Sequence, residues 1–337
     1  MRLEEFDYVL PEELIAQLPA EPRDSARLLV DRGEAAPLHQ HVRDLVEHVH
    51  EGDVLVVNDT KVIPARLRLR RRTGGAAEVL LLEPRDPDRC SWEALVRPAR
   101  KLQPGEVLVD EGVAVVRVVE RSAAGDTMIV ELLGDEDPSV LLDRHGEMPL
   151  PPYITAPLGE RDRYQTVYAD RPASAAAPTA GLHFTPALFD AVAAAGARIE
   201  RVELVVGLDT FKPVATDDPR EHRIHSEAYR VEPSVLAACR AARRVVAVGT
   251  TSVRALESAA RFGSGTGRTQ LFIHRPYEWQ VVDVLMTNFH MPRTTLLMMI
   301  DAFVGPRWRR LYEEAIRERY RFLSFGDAML LDRRSAR

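Results

Sequence analysis

Cysteine is scarce in this sequence. Cys90 and Cys239 are its two cysteines, and they lie neither in a C-x-x-C motif nor at a spacing typical of metal ligands. The sequence therefore indicates no disulfide framework and no metal site, and it suits the reducing cytoplasm. We expect a cytoplasmic protein without a bound metal.

Long hydrophobic runs are also missing. The N-terminus, Met1–Asp7, has no apolar core of the kind found in signal peptides, and the longest apolar run, Thr295–Val304, is short and contains Asp301. We interpret that run as a buried helix and not as a membrane span. With 45% hydrophobic and 28% charged residues, the chain is predicted to be soluble and globular, with no membrane partner.

The chain has no excess of positive charge. Its net charge is −6 and its pI is near 6.0, which argues against a protein that holds nucleic acid through diffuse positive charge. A local basic face remains open at Arg66–Arg72, although such a cluster is also typical of an ordinary solvated surface.

Nucleotide-binding motifs are absent from the strand-turn-helix segment Val245–Glu257. It contains neither G-x-G-x-x-G nor G-x-x-x-x-G-K-[ST], so it predicts neither a dinucleotide site nor a P-loop. The segment does present Thr250, Thr251 and Ser252 at a helix start, with Arg254 nearby. Because free N–H groups at a helix start bind anions, this turn is either a carboxylate or phosphate site or an ordinary helix cap.

The hydrophobic pattern divides the chain. Short apolar runs separated by Gly, Pro and Asp occupy residues 64–137, and they predict a small barrel or sandwich. Helix and strand patterns alternate over residues 1–63 and 138–337, which predicts one discontinuous α/β domain. Further predicted elements are helices at Asp162–Ala169 and Ser252–Phe262 and strands at Leu271–Ile273 and Val281–Met286.

Polar residues follow two of the predicted strands. The apolar run that begins at Gly52 ends in Asn58, Asp59 and Thr60, and the run at Val281–Met286 leads into the loop Thr287–Pro292, with Asn288 and His290. Because ligands commonly bind at the carboxyl ends of strands in α/β folds, we expect these residues to lie at a binding edge.

The segment Ala175–Pro186 combines residues that shape a loop with groups that can move protons. Pro178 removes a backbone donor and Gly181 permits close approach, while Thr179 and His183 supply a hydroxyl and an imidazole. The segment is predicted to be a pocket wall, and the alternative is that His183 is a hydrogen-bonded structural residue near the helix start at Pro186.

A second group of titratable residues occupies Glu221–Glu227. Its spacing is weak for a metal site, and we favour proton transfer or hydrogen bonding by His225 and Glu227, with a structural network as the alternative.

Seven segments carry polar residues with no evident packing reason to occur together. They are Phe6–Pro11, Asn58–Leu67, Met148–Ile154, Ala176–Phe184, Gly249–Arg254, Thr287–His290 and Tyr320–Met329. In this order they resemble the S-adenosylmethionine:tRNA ribosyltransferase-isomerase family of queuosine biosynthesis, over essentially the whole chain. The resemblance implies an α/β main domain with a mixed sheet, plus an inserted small all-β barrel domain.

The resemblance also implies a reaction. The ribosyl group of S-adenosylmethionine is transferred to the aminomethyl-deazaguanine at the tRNA wobble position and isomerised to give epoxyqueuosine, with release of adenine and methionine. S-adenosylmethionine is then a co-substrate and no cofactor is permanently bound. The partners are precursor-bearing tRNA, bound at Arg66–Arg72 with Arg97, Arg100 and Lys101, and S-adenosylmethionine; we favour a monomer.

Such a reaction needs a proton acceptor, an acid for adenine and a clamp for the methionine carboxylate. His183 or His225 is the candidate base, Glu227 its partner or the acid, and Thr250–Arg254 the anion clamp. The remaining candidates for substrate binding are side chains or backbone at the matched loops, namely Asn58, Thr60, Arg66, Thr179, Gly181, Phe184, Thr250, Thr251, Ser252, Arg254, Asn288 and His290.

The chain departs from the usual pattern of that family at a few positions. Val205 stands where a histidine is common, Asp209 and Tyr277 where glycine is usual, and Asp301 where serine is usual. These substitutions support an alternative hypothesis, a non-catalytic or altered-substrate tRNA-binding paralogue. An ordinary methyltransferase is disfavoured, because no glycine-rich turn follows the first strand.

Overall fold

The computed structural model describes residues 1–122, 125, 127–206, 214, 216–222, 224 and 226–336. The chain folds into two compact units. The sheet unit comprises Met1–Thr60, Pro152–Arg171 and Ala177–Arg337, and the barrel unit comprises Lys61–Pro151 and Pro172–Ala176.

The strands of the described residues are numbered along the chain. They are β1 Arg27–Val30, β2 Leu38–His41, β3 Asp53–Asn58, β4 Thr60–Val62, β5 Arg66–Arg71, β6 Ala76–Pro84, β7 Ser91–Arg97, β8 Val107–Asp110, β9 Val113–Arg121, β10 Met128–Leu132, β11 Gly146–Glu147, β12 Arg171–Ser174, β13 Arg198–Leu204, β14 Glu227–Arg230, β15 Arg244–Val248, β16 Thr266–Thr269, β17 Val284–Asn288 and β18 Ala328–Asp332. β4 and β12 pair as a two-stranded sheet.

The helices are numbered in the same way. The α-helices are α1 Pro138–His145, α2 Pro186–Ala194, α3 Pro233–Ala241, α4 Gly249–Phe262, α5 Thr295–Val304 and α6 Trp308–Arg317. Short 3-10 helices occupy Leu3–Phe6, Glu12–Leu14, Arg23–Ser25, Val42–His48, Arg161–Tyr164, Thr179–His183, Pro219–Glu221, Gly305–Arg307 and Arg333–Ala336. Within the described ranges, no helix combines the length and the apolar character needed to cross a membrane.

The sheet unit is built on a nine-stranded mixed sheet with the order β16-β14-β13-β3-β15-β17-β18-β1-β2. β13, β3, β15 and β17 are parallel neighbours, whereas β18 runs antiparallel to β17 and parallel to β1. The predicted mixed sheet is therefore confirmed. Because the four parallel strands end at one edge, the residues that follow them are brought together there.

The central strand β3 shows why a buried strand has a continuous apolar sequence. All six of its residues are buried, since both faces of a parallel sheet are usually covered. Leu55 and Val57 pack in one core cluster with Leu188 and Val192 of α2, and α4 contacts the same strand.

The barrel unit contains a seven-stranded antiparallel sheet whose strands β5 and β8 also pair with each other. That pairing, with Arg70 opposite Val109, closes β5, β6, β7, β10, β9 and β8 into a six-stranded barrel. The alternation expected of a barrel is clear in β5, where Leu67 and Leu69 are buried while Arg68 and Arg70 are exposed. The predicted all-β barrel is confirmed.

The sheet of the barrel unit continues beyond residue 137, where the sequence placed the end of the inserted domain. After α1, β11 returns to pair with β5, with Gly146 opposite Leu67. Gly146 is required there, because a Cβ on it would lie 2.0 Å from the carbonyl oxygen of Pro64.

Two element predictions are wrong. The predicted strand at Leu271–Ile273 is not a strand, because the N–H of Leu271 donates to the Thr269 hydroxyl (3.0 Å) and not to a neighbouring strand. The strand nearby is β16, an edge strand whose largely exposed Thr-Gly-Arg-Thr sequence carries no apolar pattern. The predicted helix at Asp162–Ala169 is limited to the 3-10 turn Arg161–Tyr164.

Candidate active site

A cleft lies in the sheet unit at the carboxyl ends of the parallel strands. Its walls come from the segments that follow β13, β15 and β17, from the 3-10 helix Thr179–His183 and from two other loops. The lining residues are Tyr153, Ala177, Pro178, Thr179, Ala180, Val206, Gly249, Thr250, Thr251, Thr287, Asn288, Phe289, His290, Met291, Thr294, Leu296, Leu323 and Ser324. The position is the one at which α/β folds commonly bind ligands.

Asn288, the last residue of β17, connects the cleft to His183. Its amide nitrogen lies 3.2 Å from Nε2 of His183 and 3.5 Å from the carbonyl oxygen of Asp327, and its amide oxygen accepts from the Thr179 hydroxyl at 3.0 Å. His183 is buried behind this amide and is not among the lining residues. Burial lowers the pKa of His183 to about 3, with nearby Arg321 and Arg23 adding to the effect.

His290 is the imidazole that lines the cleft. Its ring nitrogen Nε2 lies 2.9 Å from the hydroxyl of Thr287. Its backbone N–H donates to the phenol oxygen of Tyr312 at 3.0 Å, and its backbone carbonyl accepts from the Tyr8 hydroxyl at 2.5 Å. These contacts fix both the ring and the backbone of His290. Burial lowers the pKa of His290 to about 3, so the ring is neutral at physiological pH.

The start of α4 forms the opposite wall. Gly249 has a φ of 85°, in the left-handed region that favours glycine, and it turns the chain from β15 directly into the helix. The N-cap residue of α4 is Val248, whose side chain makes no capping hydrogen bond, so the first N–H groups of the helix are not used by a capping residue at that position. The Thr251 hydroxyl is buried and has no hydrogen-bond partner among the described residues.

Arg254, further along α4, pairs with Glu227 at the start of β14. Both side chains are more than nine-tenths buried. The Nε and Nη2 atoms of Arg254 are buried without a hydrogen-bond partner among the residues that the structure describes. Neither residue lines the cleft, so the predicted clamp is divided between a lining part, Thr250 and Thr251, and a buried ion pair.

Three other predicted residues support the wall from behind. Gly181 packs so closely on Tyr168 that a Cβ would lie 1.9 Å from the phenol oxygen. Phe184 is fully buried in the core cluster, and the Ser252 hydroxyl donates to the carbonyl of Val248 at 2.8 Å. Their contacts are therefore with the protein interior.

Asn58, Thr60 and Arg66 are not among the lining residues. The Asn58 amide donates to the carbonyl of Leu204 (3.0 Å) and accepts from the N–H groups of Leu204 and Thr60 (both 3.2 Å), which holds β3 to β13. Thr60 is buried, with no hydrogen-bond partner for its hydroxyl among the described residues. Arg66 belongs to the barrel unit, where it donates to the carbonyl of Leu150.

Two of the positions singled out in the sequence, His225 and Asp209, lie outside the described residues. Val205, which precedes the lining residue Val206, donates its N–H to the carbonyl of Ala228 on β14.

The structure gives packing reasons for the other two departures. Tyr277 donates to buried Glu257 at 3.2 Å. Asp301 accepts from Arg275 at 2.6 Å and from the indole of Trp308 at 3.0 Å. Neither Tyr277 nor Asp301 lines the cleft.

Sequence reasoning missed Tyr153 and Ser324, which line the cleft and bond to each other through their hydroxyls at 2.7 Å. Both lie in segments that resemble the family, and this resemblance is the sequence feature that could have identified them as site residues. Ser324 lies in a loop whose backbone folds tightly at Gly326, where a Cβ would lie 2.4 Å from the carbonyl oxygen of Arg321.

Metal ligation finds no support in the described part of the chain, where no three His, Cys, Asp or Glu side chains are grouped to hold an ion. The cleft instead offers hydroxyls, one amide, one neutral imidazole and a helix start. This set can bind a polar organic ligand with an anionic group.

A mixed sheet whose parallel strands end in such a cleft is the architecture of an α/β protein that binds a small polar ligand. Comparison with known proteins makes this class specific. Residues 3–331 match the model of a family described as queuosine biosynthesis protein, and the chain belongs to that family.

Proteins named S-adenosylmethionine:tRNA ribosyltransferase-isomerase are similar to the chain over its whole length. The one from Symbiobacterium thermophilum is 51% identical, with 98% of this chain and 100% of that protein covered. The one from Rubrobacter xylanophilus is 51% identical, with 98% of each chain covered. The crystal structure of S-adenosylmethionine tRNA ribosyltransferase from Thermotoga maritima matches with a TM-score of 0.55 and 38% identity, and covers 97% of this chain and 99% of that one.

Proposed function

We propose that this chain catalyses the reaction for which its relatives are named. It transfers the ribosyl group of S-adenosylmethionine to the aminomethyl-deazaguanine at the wobble position of tRNA and isomerises it to epoxyqueuosine. Adenine and methionine are released. The compartment that fits this substrate is the cytoplasm.

One observation carries the proposal: separate segments that resemble the family supply walls of one cleft. Tyr153, Thr179, Thr251, Asn288 and Ser324 come from five of those segments, spread over more than half of the chain, and all of them line the cleft. A fold does not need hydroxyls and amides from distant loops to face the same space, whereas a polar substrate does.

The start of α4 suits the carboxylate of the methionine end. Its uncapped N–H groups carry partial positive charge, and the Thr250 and Thr251 hydroxyls stand beside them. Arg254 adds a buried guanidinium one turn along the helix. We therefore retain Thr250–Arg254 as the anion clamp, with Ser252 bracing the turn through Val248.

The proton steps require a base beside the sulfonium and an acid for adenine. The sequence nominates His183 or His225 as base and Glu227 as partner or acid, and the contact of His183 Nε2 with the Asn288 amide at 3.2 Å favours His225 as the base. Glu227 is buried and paired with Arg254, which supports the role of a partner for that carboxylate.

The test is incubation of the purified protein with S-adenosylmethionine and tRNA that carries the aminomethyl-deazaguanine. We expect stoichiometric adenine and epoxyqueuosine in the recovered tRNA. Release of adenine without the modified nucleoside, or binding of tRNA with no turnover, would count against the proposal. The second outcome is the one that a non-catalytic paralogue predicts.

The barrel unit has a groove whose charged lining residues are three arginines and the acids Glu78, Asp110 and Glu111. Arg68, Arg70 and Arg97 line it, while Arg71 is engaged by Glu106 at 2.6 Å. We propose that Arg70 and Arg97, both exposed, contact phosphates, whereas Arg71 keeps a structural role.

Each of the changes Arg70→Gln and Arg97→Gln is then expected to lower the slope of log affinity against log salt for tRNA by roughly one unit. Binding is measured at several salt concentrations by fluorescence anisotropy. Arg240→Gln, at an exposed position on α3 of the sheet unit, is the control and should leave the slope unchanged. Equal slopes for all of these proteins would place the tRNA elsewhere.

A further inference from the structure

The Asn288 amide has one hydrogen-bonding position left over among the described residues. An amide has two N–H donors and an oxygen with two lone pairs. Both donors are engaged, by His183 and by the carbonyl of Asp327, while the oxygen accepts from Thr179 and from no other residue that the structure describes. One lone pair of Oδ1 is therefore available to a ligand.

The orientation of this amide follows from its partners. The carbonyl oxygen of Asp327 can only accept, so the amide nitrogen must lie on that side, and His183 Nε2 must then be an acceptor. The oxygen lies on the side of Thr179, which lines the cleft, whereas His183 and Asp327 do not line it.

We propose that Oδ1 of Asn288 accepts a hydrogen bond from the exocyclic amine of adenine, and that His183 is a positioning residue that holds this amide. The inference rests on the proposed function, since it takes S-adenosylmethionine as the ligand.

The character of the cleft selects the adenine amine over the other amino groups of the two substrates. Among its described lining residues there is no Asp, Glu, Lys or Arg. Among these described residues a charged ammonium would find no counterion, whereas a neutral aromatic amine needs only an acceptor. Ala177, Pro178 and Ala180 line the same cleft with small apolar side chains, which suit contact with a flat ring.

His183 is poorly suited to accept a proton from substrate. A neutral imidazole has one acceptor nitrogen, and in His183 that nitrogen already accepts from Asn288. The proton of His183 is therefore on Nδ1. The depressed pKa of His183, about 3, keeps the ring in this neutral form.

The first experiment measures binding by calorimetry without tRNA. The ligands are S-adenosylmethionine, an analogue whose adenine is replaced by unsubstituted purine, and an analogue without the methionine amine. We expect the wild type to bind the purine analogue roughly 10- to 100-fold more weakly, because Oδ1 is left without a donor. Asn288→Ala should bind S-adenosylmethionine and the purine analogue equally weakly.

Three results would overturn the inference. The first is equal binding of S-adenosylmethionine and the purine analogue by the wild type. The second is weaker binding of the purine analogue that persists in Asn288→Ala. The third is that removal of the methionine amine weakens binding to the wild type but not to Asn288→Ala. Failure of the wild type to bind S-adenosylmethionine would also contradict the inference, whereas failure of the turnover assay with tRNA would refute the proposed function. The comparison of S-adenosylmethionine with the purine analogue uses the wild-type protein alone, so a folding defect in a variant cannot affect it.

The second experiment separates positioning from catalysis. His183→Gln retains a side-chain acceptor for the Asn288 amide, whereas His183→Ala does not. If His183 positions the amide, the glutamine variant keeps kcat within about threefold, and the alanine variant mainly raises the KM for S-adenosylmethionine, with an unchanged pH profile of kcat. If His183 is the base, kcat falls strongly in both variants, and the decrease of kcat at acidic pH that the wild type shows disappears. That result contradicts the inference.

Discussion

Arg254→Leu is expected to lower the free energy of unfolding by about 3–5 kcal/mol, because it removes the guanidinium that Glu227 faces in the protein interior. Both side chains are more than nine-tenths buried, so solvent screens their attraction little. Urea unfolding followed by circular dichroism measures the change. Arg240→Leu, at an exposed site, is the matched control and should stay within about 0.5 kcal/mol of the wild type.

Two further variants test the cause. Arg254→Leu combined with Glu227→Leu replaces the ion pair by apolar groups of similar size and should recover most of the lost stability. Arg254→Lys keeps the positive charge but not the planar fork, so it should fold and bind S-adenosylmethionine at least roughly tenfold more weakly. A loss below about 1 kcal/mol for Arg254→Leu would show that the pair has little role in the fold.

The sequence identified Arg254 but not its partner. The hydroxyls and the arginine of Gly249–Arg254 lie within one helical turn, so a motif reveals them together. Glu227 pairs with that arginine across 27 positions of the chain. Such a pairing is decided by the order of strands in the sheet, which local patterns do not contain.

Asn58 and Asn288 illustrate the same limit. Each is a buried asparagine at the end of a parallel strand, and the sequence predicted a binding role for both. The Asn58 amide donates to the carbonyl of Leu204 on the neighbouring strand β13. Asn288, by contrast, lies where the chain leaves the sheet, and its amide contacts Thr179 and His183. Strand ends could be predicted, but which of them remains open to a ligand depends on the neighbours.

The sequence predicts that the barrel unit is all-β, but it does not reveal how the barrel closes or that β11 belongs to it. Short apolar runs with turn residues between them predict strands, and the alternation in β5 shows in the sequence Arg-Leu-Arg-Leu-Arg. Closure depends on the pairing of β5 with β8, and the return of β11 depends on the close approach of Gly146 to Pro64. Neither contact has a local signature.

Glu257→Ala should lower the free energy of unfolding by more than about 3 kcal/mol, since it leaves several buried donors without an acceptor. Glu257 is fully buried. Its carboxylate accepts from the N–H groups of Gln280, Val281 and Val282, each at 3.0 Å, and from the Tyr277 hydroxyl at 3.2 Å. Glu278→Ala, at an exposed neighbouring position, is the control and should have little effect.

Tyr277→Phe removes one of those donors and should lower the free energy of unfolding by only about 1–2 kcal/mol. Burial and the charge of Glu257 both raise the pKa of Tyr277, so its hydroxyl stays protonated and keeps donating at any physiological pH. Because Tyr277 does not line the cleft, Tyr277→Phe should release adenine at the wild-type rate. A folded Tyr277→Phe protein with impaired turnover would connect this departure from the family pattern to the reaction, and would revive the altered-substrate hypothesis.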